Sequence, residues 1–116
     1  MLQSQKTMSS DVQVLQPQGI LDGTKAREFR QDIARLVEKG AKTILIDFQD
    51  VTFMDSSGLG ALVLALKTVR AADGKLVICS INEQIKILFE LTSMDRVFQP
   101  IFASREEFES KRESNS

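Results

Sequence analysis

The apolar positions of the chain change their spacing near its beginning. Two short apolar segments, residues 12–14 and 20–21, flank a turn at residues 16–19 that contains Pro and Gly, which is typical of a hairpin or a bent strand. From Thr24 to about Lys39 the apolar residues instead recur at helical spacing. The pattern predicts an opening pair of strand segments followed by an amphipathic helix.

The rest of the chain alternates between strand-like and helix-like segments. The pattern predicts a strand at residues 43–47 with a second apolar segment at 51–54, a helix at 59–69, a strand at 75–79, a helix around 85–89, an edge strand or strand end at 97–102, where Pro100 lies, and a terminal helix. The residues expected to cap helices are Asp22 or Thr24, Ser80 with Glu83, and Ser104 with Glu107.

This alternation indicates an α/β fold. We expect a mostly parallel, mixed sheet with helices packed against it and the opening hairpin as an antiparallel edge strand. The chain has no internal repeat, low-complexity block or interior Gly/Ser linker, so we expect a single domain over residues 11–110. Residues 1–10 form a polar N-terminal segment, and residues 111–116 are expected to be a disordered tail.

Composition excludes several classes of function. The 116 residues include 15 Lys and Arg against 16 Asp and Glu, so no excess of positive charge is available for a nucleic-acid backbone. Without histidine the chain cannot form a Ser-His-Asp or Cys-His catalytic group, and its one cysteine, Cys79, lies in an apolar segment that favours a core position. We expect no cofactor and no metal site.

The sequence also lacks a membrane span and a signal peptide, and both absences bear on the cellular location. No segment approaches the ~20 consecutive apolar residues of a membrane span, and residues 1–10 lack the apolar core of a signal peptide. A cytosolic protein is expected.

The segment from Phe53 to Gly60 is the most unusual of the chain, because small polar residues cluster where a strand ends and a long apolar helix begins. A nucleotide-phosphate loop would need a Gly-Lys-Ser/Thr ending that is absent. A serine-hydrolase elbow around Ser56 would need glycine at Met54 and a histidine base. Both enzymatic interpretations are therefore disfavoured.

A simpler interpretation is that Asp55 or Ser56 caps the helix while Gly58 and Gly60 let the helix approach the sheet closely. However, glycine in the first turns of a helix costs up to about 1 kcal/mol relative to alanine. Two glycines beside two serines therefore suggest that access to this helix start matters, as at a docking and modification site.

The segment Asp55-Ser56-Ser57-Gly58-Leu59-Gly60 closely resembles the signature of STAS-domain anti-sigma factor antagonists. The segment Gly19-x-Leu21-Asp22 and the turn Asp73-Gly74 are similar to that family as well, so the resemblance extends from about Val12 to Phe108. One departure is Ile20, where the family often has an acidic residue.

The resemblance implies a regulatory binding protein rather than an enzyme. In such proteins the first serine of the signature, here Ser56, is phosphorylated by a serine kinase that is also the anti-sigma factor, and Ser57 is the alternative site. A separate metal-dependent serine phosphatase reverses the modification. A different implication is an unphosphorylated accessory subunit of a transport or lipid-trafficking complex. The expected partner-binding residues are Asp22, Asp55, Ser56, Ser57, Gly58, Leu59, Gly60 and Leu64.

Three apolar residues, Leu64, Ile87 and Leu91, fall outside the main apolar stripes of their predicted helices. They could form an exposed patch for a partner or cover a second layer of core. We favour the second layer of core.

Overall fold

The structure, a computed structural model, describes residues 12–114. The predicted polar segment at residues 1–10 lies outside these residues. The elements are β1 (Val12–Leu15), β2 (Gly19–Leu21), α1 (Gly23–Glu38), β3 (Thr43–Asp47), β4 (Val51–Met54), α2 (Ser56–Ala71), β5 (Lys75–Cys79), α3 (Glu83–Leu91), α4 (Met94–Val97), β6 (Ile101–Phe102) and α5 (Arg105–Ser114).

The α/β fold with a mostly parallel sheet is confirmed. A four-stranded sheet has the order β1-β3-β5-β6, and β2 pairs separately with β4. Every pair among the described strands is parallel. The predicted antiparallel edge strand is therefore wrong. β1 and β2 do not form a hairpin, because the chain bends after Leu15 so that β2 pairs with β4 while β1 pairs with β3.

Each central strand is buried on both faces. In β3, Ile44 and Ile46 belong to the larger core, which α1, α2 and α3 cover. The alternate residue Leu45 belongs to a smaller core on the opposite face, together with Cys79 and with Phe108 of α5. This alternation follows from the two-residue period of a strand, and it explains the nearly continuous apolar sequence of β3.

Two predicted helix boundaries need correction. α3 is capped by Asn82, whose side chain accepts a hydrogen bond from the backbone N–H of Ile85, and not by Ser80, which adopts a φ of 66°. α5 extends past the predicted start of the disordered tail, and the Arg112 guanidinium lies 5.8 Å from the ring centre of Phe108. Basic residues in the last turn also suit the negative end of the helix dipole.

Candidate docking and phosphorylation site

Two helices begin side by side at one edge of the fold. β2 and β4 are parallel neighbours, and their last residues, Leu21 and Met54, lie opposite each other in the register. The next residue after each strand is an aspartate, Asp22 before α1 and Asp55 before α2, and each aspartate caps its helix. Since a helix N-terminus carries a partial positive charge, this edge combines two carboxylates with two positive helix ends.

Asp22 is held by the first turn of α1. Its carboxylate accepts hydrogen bonds from the Thr24 hydroxyl at 2.6 Å and from the Thr24 backbone N–H at 3.0 Å. The hydroxyl bond is the main reason that the pKa of Asp22 lies below its ordinary value of 3.8, because the bond stabilises the charged form. The prediction that Asp22 caps α1 is confirmed. Its contact with a partner stays a prediction.

Asp55 ties the start of α2 to β2. Its carboxylate accepts a hydrogen bond from the backbone N–H of Gly58 at 3.0 Å, and its own N–H donates to the carbonyl of Leu21 at 3.3 Å. Of the two caps that the sequence allowed, Asp55 is therefore the one used, and the hydroxyl of Ser56 is not needed for capping.

Ser56 and Ser57 are the first two residues of α2, and both are exposed. The hydroxyl of neither serine makes a hydrogen bond to another described residue. The Ser57 hydroxyl lies toward the start of α1, because a Cβ atom on Gly23 would be 3.7 Å from the Ser57 Oγ. Both hydroxyls are available for modification.

The two glycines of the signature have different surroundings. A Cβ atom on Gly58 would lie 2.2 Å from the carbonyl oxygen of Leu21, so the fold requires glycine there. A Cβ atom on Gly60 would meet nothing within 4 Å, and Gly60 is exposed. The expectation that glycine allows a close approach of helix and sheet therefore holds for Gly58 and fails for Gly60.

An open groove of about 770 Å³ runs from the two serines along α2. We call it the serine groove. It lies between α1, α2 and the turn from α3 to α4, and its main lining residues are Ala26, Arg30, Ser56, Ser57, Gly60, Val63, Leu64 and Met94.

The predicted partner-binding residues divide into exposed and buried ones. Ser56, Ser57, Gly60 and Leu64 are exposed and line the serine groove. Leu59 lines it too but is only 8% exposed, and Gly58 is buried. The burial of Gly58 against β2 removes it from the predicted contact surface.

Of the three apolar residues outside the main stripes, Leu64 and Ile87 are each 46% exposed and Leu91 is 80% exposed. The interpretation as a second layer of core is therefore wrong, because no described element covers these side chains.

Gln84 is a residue of the site's support that sequence reasoning missed. Its side-chain amide donates to the carbonyl of Met54 at 2.8 Å and accepts from the N–H of Met54 at 2.9 Å. Asn82, beside it, donates to the carbonyls of Val51 and Thr52, each at 3.2 Å. Together these amides hold the edge of β4 that leads to the serines. No local pattern signals such bonds, since the partners are about 30 residues apart in the sequence.

β2 and β4 also expose an apolar pair. Ile20 and Phe53 lie opposite each other in the register and are 50% and 45% exposed. The position where the resemblance implied an acidic residue is therefore part of an apolar surface just before the two helix starts.

Within residues 12–114, no group of three or more His, Cys, Asp or Glu residues is arranged to hold a metal ion. In the same part of the chain, no helix has the length and apolar character needed to cross a membrane.

The chain belongs to the STAS domain family, whose model matches residues 3–108. Among its relatives is the anti-sigma-B factor antagonist of Staphylococcus aureus, which is 32% identical over 76 residues, covering 66% of this chain and 70% of the relative.

Solved structures share the fold. A Thermotoga maritima protein, provisionally assigned as an anti-sigma factor antagonist, is 28% identical with a TM-score of 0.80 over 90% of this chain and 89% of its own. The unphosphorylated form of the Bacillus anti-sigma factor antagonist SpoIIAA has a TM-score of 0.75 over 92% of this chain and 93% of its own, and at 23% identity it shows the fold alone. SpoIIAA has also been solved in a phosphorylated form.

Proposed function

We propose that this chain is an anti-sigma factor antagonist that works by partner switching in the bacterial cytoplasm. Its unphosphorylated form binds an anti-sigma factor that is also a serine kinase, and this binding releases the sigma factor for transcription. Membership of the STAS family and the name of the Staphylococcus aureus relative support this class of function. The chain acts as a regulatory binding protein and not as an enzyme.

The observation that carries the proposal is the position of Ser56. It is exposed at the first residue of α2, its hydroxyl has no partner among the described residues, and the serine groove begins beside it. A kinase that docks on this surface can therefore bring its bound ATP to the hydroxyl without unfolding the helix. Ser57 faces the start of α1 instead, which favours Ser56 as the acceptor.

Phosphorylation then ends the binding by electrostatic repulsion and desolvation. A phosphate adds about −1.5 to −2 charges at neutral pH, next to the carboxylate of Asp55 and across from that of Asp22. A full shift of a binding equilibrium from 1:99 to 99:1 needs about 5.5 kcal/mol. A charge that is buried without a partner at an interface costs roughly 2 to 5 kcal/mol. One phosphate therefore supplies most of the free energy that the switch needs. A metal-dependent serine phosphatase restores the binding form.

Phosphosite mapping by mass spectrometry tests the proposal. The chain is incubated with lysate of its host and ATP, as wild type, Ser56→Ala and Ser57→Ala. We expect phosphate on Ser56 in the wild type and in Ser57→Ala, and none at this segment in Ser56→Ala. Phosphate on Ser57 alone would show that the site was assigned to the wrong serine. No phosphate on either serine would favour the unphosphorylated accessory subunit.

A size-matched pair of variants tests the consequence of phosphorylation. Ser56→Asp and Ser56→Asn have nearly the same size and differ in charge. We expect Ser56→Asp to lose binding to the purified kinase and Ser56→Asn to retain most of it. Equal loss in both variants would mean that size, and not charge, controls binding.

A further inference from the structure

Gly60 weakens α2 for no reason within the fold. Glycine inside a helix is less favourable than alanine, because it loses more backbone freedom on folding. Gly58 is required by its contact with the Leu21 carbonyl, but a Cβ atom on Gly60 would meet no atom within 4 Å. Within residues 12–114, therefore, no contact requires glycine at position 60, which lies on the exposed side of α2.

The missing side chain at Gly60 deepens the serine groove. Gly60 lies in the wall that α2 gives to the groove, and Ala26 of α1 and Met94 of α4 also line the groove. Val63 and Leu64 continue the wall, and Leu64 is 46% exposed. Small residues next to exposed larger apolar ones make an apolar depression of a kind that an inserted side chain fills.

Arg30 is the only charged residue among those that line this groove. It is exposed, and it makes no ion pair with any described residue. An arginine fork matches a carboxylate in two parallel hydrogen bonds. The groove thus offers an apolar depression and, beside it, one unpaired cation.

We propose that the serine groove accepts an apolar side chain of the anti-sigma kinase at Gly60, while a carboxylate of the same kinase pairs with Arg30. This inference rests on the proposed function, because the groove is continuous with Ser56 and the partner that reaches one reaches the other. Gly60 and Arg30 are then specificity-determining residues: the first admits the partner by shape and the second by charge.

A variant that fills the groove tests whether the depression at Gly60 accepts a side chain of the kinase. Gly60→Leu places a branched side chain in the depression, and Ala71→Leu adds similar bulk at the exposed C-terminal end of the same helix. Binding of each variant to the purified kinase in ADP is measured by titration calorimetry, and folding is checked by thermal melting. We expect Gly60→Leu to bind at least about 10-fold more weakly with no lower melting temperature, and Ala71→Leu to bind like the wild type. Wild-type affinity in Gly60→Leu would overturn the inference.

Reversing the charge tests Arg30. Arg30→Glu is compared with Arg27→Glu, which makes the same change of net charge on α1 outside the groove. We expect Arg30→Glu to weaken binding by about 10-fold or more, and Arg27→Glu to have a smaller effect that salt removes. Equal effects would overturn the assignment of Arg30. The assignment would also be overturned if Arg30→Glu weakened binding to nucleotide-loaded kinase but not to nucleotide-free kinase. Arg30 would then face nucleotide phosphates and not a carboxylate.

Ser56→Asp in the same titrations separates this inference from the proposed function. If Ser56→Asp binds as tightly as the wild type, the phosphorylation switch fails. If Ser56→Asp loses binding while Gly60→Leu and Arg30→Glu keep it, the switch stands and only the role of the groove is overturned.

Discussion

The carbonyl oxygen of Leu21 occupies the space that a side chain of residue 58 would need, since a Cβ atom built on Gly58 lies 2.2 Å from it. The same carbonyl accepts the hydrogen bond from the Asp55 N–H. One peptide group at the end of β2 therefore fixes both the cap and the first turn of α2. The exposed position of Ser56 depends on this contact.

We expect Gly58→Ala to destabilise the protein by about 1 to 3 kcal/mol, because the added methyl group must push backbone away from backbone. Gly60→Ala is the matched control in the same helix. It should stabilise the protein by up to about 1 kcal/mol through helix propensity alone. Urea unfolding followed by circular dichroism measures both. If both variants change stability in the same direction, the two glycines are not structurally different.

Gln84 supports the strand that leads to Ser56. Gln84→Ala leaves the N–H and the carbonyl of Met54 without their side-chain partners in a partly buried place. We expect a loss of about 2 kcal/mol in the free energy of unfolding, since each unsatisfied buried group costs roughly 1 to 3 kcal/mol. Gln31→Ala, on the exposed face of α1, is the control and should change stability by less than about 0.5 kcal/mol. If Gln84→Ala changes the free energy of unfolding as little as Gln31→Ala does, water has replaced the hydrogen bonds of the Gln84 amide to Met54.

The sequence predicts the local features of the fold and the site, but not the contacts between distant segments. β5 was predicted at its observed bounds, because a short apolar run beside an Asp-Gly turn is a local signal. Asp22 and Asp55 were found for the same reason, as caps at the starts of periodic segments. The pairing of β2 with β4 and the Gln84 bonds were missed, since both depend on how segments far apart in the chain meet.

The buried Asp47 forms an ion pair with the partly exposed Arg105, and this pair fastens α5 to the sheet. Asp47 is 1% exposed, Arg105 Nε donates to its carboxylate at 3.2 Å, and Nη2 of the same guanidinium lies 3.1 Å from the carboxylate oxygen. Arg105→Ala would leave this buried carboxylate without its ion-pair partner, although the Gln49 N–H would still donate to it. We expect a loss of roughly 3 kcal/mol in the free energy of unfolding. Arg96→Ala, an exposed arginine on α4, is the control.

Hydrogen exchange locates the effect of Arg105→Ala. Faster exchange should be largest in α5, because the ion pair joins this helix to β3. If exchange rises equally throughout the chain, Arg105 contributes to global stability without anchoring α5 in particular.

Asp22 should make stability depend on acid pH. Its pKa is lowered in the folded protein, mainly by the hydroxyl bond from Thr24, so the unfolded chain binds the proton more readily. The contribution is present above the unfolded value of 3.8 and is lost as the pH falls through the lower folded value. Asp22→Ala should lower the free energy of unfolding at pH 7, because the helix loses its cap, and the difference from the wild type should shrink below pH 4. Thr24→Val removes the hydroxyl bond to Asp22. The stability difference between Thr24→Val and the wild type should therefore also shrink below pH 4, by a smaller amount.

Cys79 should make stability depend on alkaline pH. The thiol is fully buried, and burial is the main reason that its pKa rises from 9.0 to about 11, with the negative charge of Asp47 adding to the shift. Above pH 9 the unfolded chain therefore loses this proton while the folded chain keeps it, so the contribution to stability disappears between pH 9 and 11.

Urea unfolding of the wild type and of Cys79→Ala at several pH values measures this effect. The chain has no tyrosine, so lysines are the main other groups that titrate in this range, and both proteins share them. We expect the free energy of the wild type to fall more steeply than that of Cys79→Ala from pH 9 to 11. We also expect the folded wild type to react slowly with a thiol reagent at pH 8, because only an exposed thiolate reacts. Parallel pH profiles together with fast labelling would mean that the thiol is accessible and that α5 does not seal this face of the sheet.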